Sequence, residues 1–64
     1  MPADLSQELC RLRMILRSAD YRGRRDGAAS AALARMRQLS ELSGQVELAY
    51  EVKRWNLRLQ LLSV

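Results

Sequence analysis

Ser40-Glu41-Leu42-Ser43-Gly44-Gln45-Val46-Glu47 is the stretch on which the fold of this chain turns. Upstream of it, Leu33, Met36, Leu39, Leu42 and Val46 continue a helical stripe. Downstream, Leu48, Val52, Trp55, Leu59 and Leu62 step by 4, 3, 4 and 3 residues, which again places them on one face of a helix. The two stripes do not lie on the same line, so the apolar face rotates here or the helix breaks. An interior glycine costs about 1 kcal/mol relative to alanine, which a long packed helix tolerates. No proline punctuates the junction, and it carries no strong turn signal. The expectation is an all-α antiparallel helical hairpin with a long second helix over residues 28–62. A small three-helix bundle broken near Gly44 is the alternative.

Working outward, Leu5, Leu9, Leu12, Leu16 and Ala19 form the stripe of a first helix, expected over residues 4–21. Cys10, Met14 and Ile15 widen it, and Cys10 reads as a buried small hydrophobe. Asp4 is a candidate N-cap, with Gln7 completing a capping-box pattern. Tyr21-Arg22-Gly23-Arg24-Arg25-Asp26-Gly27 reads as a turn, with Gly23 placed to stop the first helix. Ala28, Ala29, Ala31, Ala32 and Ala34 then open a segment of strong helix formers with little side chain, which lets another backbone come close. Leu57, Leu59 and Leu61 alternate with polar residues as a strand would. Helix is preferred because the stripe from Leu48 runs through them and a lone strand would have no partner.

The 64 residues allow one domain, 1–64, with a marginal core. An apolar share of 48% is too high for a disordered tail. Histidine is absent, which removes the commonest general base and metal ligand, and Ser6, Ser18, Ser30, Ser40, Ser43 and Ser63 have none to activate them. Cys10 is the only cysteine, so one chain holds neither a disulfide framework nor a zinc site. No catalytic constellation, phosphate loop or cofactor motif is recognisable. The composition therefore argues against an enzyme. No apolar run approaches a membrane span. Met1-Pro2-Ala3-Asp4 does not open a signal peptide, and one free thiol suits a reducing cytoplasm.

Lys and Arg total 11 against 7 acidic residues, a net charge of +4. Lys53 is the only lysine. An arginine bias fits a GC-rich, bacterial genome as well as planar recognition of phosphate. Arg17, Arg22, Arg24 and Arg25 gather around the turn beside Tyr21. They read either as a solubilising loop or as a surface for anions or nucleic acid.

The stripe Leu48, Val52, Trp55, Leu59 and Leu62 spans about two heptads, the spacing of a coiled-coil seam. A first helix of about 18 residues measures roughly 27 Å, and a continuous second helix of 35 residues about 52 Å. The shorter cannot cover the longer. Apolar surface would then be left for a partner, with Trp55 as its anchor. In a three-helix fold Trp55 is simply core.

Leu12 to Arg17 ends the first helix, Arg22-Gly23 stands at the turn, and Leu39-Ser40-Glu41-Leu42-Ser43-Gly44 leads into Val46-Glu47-Leu48-Ala49-Tyr50. On these stretches the sequence resembles the small E-type co-chaperones of bacterial type III secretion systems, which help hold the needle subunit in the cytoplasm. The overlap covers about two thirds of the chain; the basic charge and Trp55 to Val64 depart from it. The resemblance implies a helical hairpin whose partners are a tetratricopeptide-type chaperone and the needle subunit. It makes Leu42, Val46, Ala49 and Tyr50 candidate contacts beside Leu48, Val52, Trp55, Leu59 and Leu62.

Three functions stay open on this reading. One is a non-enzymatic adaptor or co-chaperone that docks an apolar helix face on another protein. A second is a self-associating, basic nucleic-acid-binding regulator. The third is a phage or plasmid inhibitor of a host protein.

Overall fold

The computed structural model describes residues 2–62. They are all-α, in three helices: α1 (Pro2–Arg22), α2 (Gly27–Ser43) and α3 (Val46–Gln60). Helix α1 begins two residues earlier than its spacing suggests. Proline has no N–H to leave unpaired in a first turn, and Asp4 falls inside that turn, where its charge meets the positive end of the helix dipole.

The α1–α2 turn closes as the glycine and aspartate signals imply. Gly23 is left-handed at φ 68. Its N–H donates to the Asp20 carbonyl at 3.0 Å, and that of Arg24 to the Ala19 carbonyl at 3.1 Å, the paired bonds of a Schellman stop. Asp26 then caps α2, its carboxylate accepting from the Ala29 N–H at 2.9 Å.

At Gly44 the expected helix over residues 28–62 is corrected: α2 ends at Ser43. Gly44 adopts φ 69 and ψ 17, and its N–H donates to the Ser40 carbonyl at 3.0 Å. A left-handed residue ends a helix, and glycine takes that geometry without a Cβ penalty. Only Gly44 and Gln45 separate α2 from α3, so the chain doubles back. The described residues extend 35 Å along their longest axis, well short of the roughly 52 Å of a continuous helix.

All three helices pack on one another. Leu9, Leu12, Leu16 and Ala19 from α1 meet a core supplied by Ala29, Ala32, Leu33, Met36 and Leu39 from α2 and Leu48, Val52 and Leu59 from α3. Leu16, Met36 and Leu59, one from each helix, are the largest fully buried side chains. Ala19 and Ala29 are also fully buried, where small side chains let α1 and α2 come close. Cys10 departs from expectation: it is exposed, and so is Met14, while only Ile15 joins the flank of the core.

Three ion pairs tie α1 to its neighbours. Arg13 reaches Glu51 on α3, Arg35 on α2 reaches Glu8, and Arg58 on α3 reaches Asp20, at 2.7, 2.6 and 2.8 Å.

Candidate docking face on the third helix

Helix α3 and the turn that follows it at Leu61 and Leu62 carry two apolar stripes on opposite sides. Leu48, Val52, Trp55, Leu59 and Leu62 point inward: Leu48, Val52 and Leu59 are core, and Trp55 and Leu62 are half-buried against it. These residues were expected as docking anchors. They face α1 and α2 because the break at Gly44 folds α3 back onto the first hairpin, so they bury apolar surface that a straight helix would have left outside.

Val46, Tyr50, Leu57 and Leu61 form the second stripe. At 100° per residue they fall within a 60° arc, about 170° away from the inner stripe. All four are exposed, from 56% at Leu57 to 87% at Leu61. Leu42, just before the α2–α3 link, is exposed at 74%. Of the residues singled out in the sequence, Leu42, Val46 and Tyr50 thus reach solvent, as does Ala49. Leu57 and Leu61 were missed, because their alternation with Leu59 was weighed only as a strand pattern. Read at helical period, their offset from Val46 and Tyr50 by 11 residues puts them on the same line.

Toward its C-terminal end the outer stripe borders a depression of about 650 Å³. Trp55, Leu57 and Leu61 supply its apolar lining, and Asp20, Glu51, Arg54 and Arg58 its polar wall. The Trp55 indole N–H donates to Glu51 Oε2 at 3.3 Å, which fixes the ring on the inner edge of this depression. Glu51 is held in turn by Arg13, whose hydrogen bonds to the carboxylate keep its pKa below the ordinary value. The Trp55 edge is hydrogen-bonded to Glu51, and the Leu57 and Leu61 edge is open to solvent.

Of the arginines at the first turn, Arg24 and Arg25 line one depression and Arg22 another. Arg22 pairs with Asp26 at 3.0 Å. Arg22 and Arg24 line different depressions, with Asp26 bordering both. Arg17 is exposed on α1, and Arg25 is half-buried with its Nε donating to Ser30 Oγ at 3.3 Å. Backbone hydrogen bonding from Ala29, ahead of the charge of Arg22, holds the Asp26 carboxyl below its ordinary pKa, so an anion sits amid the expected anion site.

Among the described residues there is no group of three or more His, Cys, Asp or Glu placed to hold a metal ion. No described helix is long and apolar enough to cross a membrane. Comparison with protein-family models, with curated proteins and with solved structures finds no match to this chain.

Proposed function

We propose that this chain is a non-enzymatic interaction protein: a small three-helix bundle that presents the outer face of α3 to a helix of a partner protein. One observation carries the reading. Val46, Tyr50, Leu57 and Leu61 make an apolar line about 22 Å long on a helix whose other side already fills the core. Folding gains little from those four side chains, and apolar faces of this kind are the surface of a helix-on-helix interface.

The partner helix carries acidic residues beside its apolar ones. Lys53 and Arg54 lie at the midpoint of the stripe, one on each flank, and the chain as a whole is +4. The same placement argues against a second copy. A two-fold axis relating antiparallel copies of α3 would pass through that midpoint and set Lys53 and Arg54 against their own images. The resemblance to type III secretion co-chaperones supplies one identity for the partner, a tetratricopeptide-type chaperone with its needle subunit, and that identity rests on the resemblance alone.

An NMR titration of the isotope-labelled chain tests the reading. The probe is a designed amphipathic helical peptide with leucines at i, i+3, i+4 and i+7 and glutamates flanking them. Saturable shifts at Val46, Tyr50, Leu57 and Leu61 are expected, and none with a lysine-flanked peptide. Equal response to both peptides, or shifts at these residues on concentrating the chain alone, would replace the acidic partner by a nonspecific or self-associating face.

A further inference from the structure

A second groove runs between α2 and α3, on the side of α3 away from α1, and encloses about 450 Å³. Its floor is Leu33, Ala34, Ala49 and Val52, whose mostly small side chains leave the space open. Its rim carries three cations from three elements: Arg25 from the first turn, Arg37 from α2 and Lys53 from α3. No carboxylate lines it among the described residues.

The missing carboxylate sets this groove apart from the depressions beside Trp55 and around the first turn, each of which includes one. Arg13, Arg22, Arg35 and Arg58 are each neutralised by a carboxylate. Arg25, Arg37 and Lys53 have no such partner among the described residues, nor do Arg11, Arg17, Arg24 and Arg54, but only the first three share one groove; Arg25 is steadied by its bond to Ser30 Oγ. Because α2 and α3 run antiparallel across a two-residue link, Arg37 sits toward the linked end of the groove, Lys53 near its middle and Arg25 toward the far end. Ser30 and Arg37 are seven residues apart, about 10 Å along α2, so the three charges form a row and not a point.

We propose that this groove binds a chain of linked phosphates, of the kind carried by a nucleoside triphosphate or by inorganic polyphosphate. A row of cations with its own donors, Ser30 and Asn56 among them, matches successive phosphate groups. The volume suits a small ligand. A nucleic-acid duplex would need many more contacts over a broad positive face, and the other faces of this molecule alternate arginines with Glu8, Asp20, Asp26 and Glu51.

NMR titrations at constant ionic strength test this with sodium tripolyphosphate, adenosine triphosphate and a short single-stranded oligothymidylate. The expected result is saturable shifts confined to Ser30, Leu33, Arg37, Ala49, Lys53 and Asn56 with tripolyphosphate. Tighter binding of adenosine triphosphate would assign the phosphates to a nucleotide, and equal or weaker binding to polyphosphate itself. The double variant Arg37→Ala/Lys53→Ala, which changes only exposed side chains, should weaken binding by roughly tenfold or more. Arg11→Ala/Arg17→Ala, with the same loss of charge on α1, should not. Equal weakening by both variants, no binding of tripolyphosphate, or binding of the oligonucleotide alone would overturn the proposal.

Discussion

Arg13 on α1 and Glu51 on α3 meet in a two-point ion pair, Nε to Oε2 at 2.7 Å and Nη2 to Oε1 at 2.8 Å. Oε2 also accepts from the Trp55 indole. One carboxylate therefore joins α3 to α1 and holds the tryptophan, beside the second α1–α3 tie of Arg58 to Asp20. Burial of Leu48, Val52 and Leu59 already sets which face of α3 turns inward, and the ion pair adds a directional contact at that face's edge. A planar guanidinium facing a carboxylate supplies the direction that apolar contacts lack.

Replacing that charge should loosen the fold without abolishing it. Glu51→Gln keeps the shape but leaves a neutral acceptor for Arg13. With Arg13 partly in solvent, the loss should be about 1 kcal/mol. A lower urea midpoint at unchanged slope is the expected reading. An unchanged midpoint would mean that water satisfies Arg13 equally well.

Acid should act through the same contacts. Hydrogen bonds from Arg13 and Arg35 hold Glu51 and Glu8 below the ordinary glutamate value of 4.5, and the Ala29 N–H holds Asp26 below its ordinary 3.8. The unfolded chain therefore binds these protons more readily than the folded one. The stability they contribute is fully present above the unfolded values and is lost as pH falls through the lower folded ones. Urea midpoints should be level from neutrality to about pH 5 and decline below it. Glu51→Gln should decline less steeply. A midpoint that rises on acidification would contradict the assigned pairs.

The two stripes of α3 should respond differently to truncation. Leu59 is fully buried, so Leu59→Ala should cost about 2–5 kcal/mol. A chain of this length has a total stability of only about 3–10 kcal/mol, so that loss should largely unfold it. Leu57, two residues away, is 56% exposed, and Leu57→Ala should change stability by less than about 0.5 kcal/mol. Thermal melts followed by circular dichroism separate the cases. Equal losses would put Leu57 in the core and remove the outer stripe.

Local signals in the sequence carried much of this fold. The 4-3-4-3 spacings of Leu5 to Ala19 and of Leu48 to Leu62 mark the inner faces of α1 and α3, because burial of a regular helix imposes that period. Gly23 is legible as a stop because little else accepts its left-handed geometry. Gly44 has the same φ, yet without a proline or a run of turn residues beside it a tolerated interior glycine reads identically. The rotation of the apolar stripe between Val46 and Leu48 was the sign of the break. The Arg13–Glu51 and Arg58–Asp20 pairs each join residues 38 apart in sequence, and no spacing rule reaches across a turn whose angle is unknown. Cys10 was misplaced for a related reason: it lies at the edge of the α1 stripe, where only the positions of α2 and α3 decide which flank is covered.

Gly44 should govern whether α3 folds back on its own chain. Apart from its two chain neighbours, no described residue comes within 4 Å of where a Cβ would stand, so Gly44→Ala meets no tertiary clash, only the backbone cost of a left-handed alanine, about 1–2 kcal/mol. A straight helix through residues 43–46 relieves that cost, but in one chain it strips Leu48, Val52 and Leu59 from the core. Two chains can relieve it together by exchanging α3, each long helix filling the other's core. Gly44→Ala should therefore lower the urea midpoint of the monomer at low concentration and form an exchanged dimer as concentration rises. Light scattering across a dilution series reads the mass, and circular dichroism should show helix content at or above that of the parent chain. A variant that stays monomeric at every concentration, with an unchanged midpoint, would show that the left-handed geometry of Gly44 does not hold the α2–α3 link.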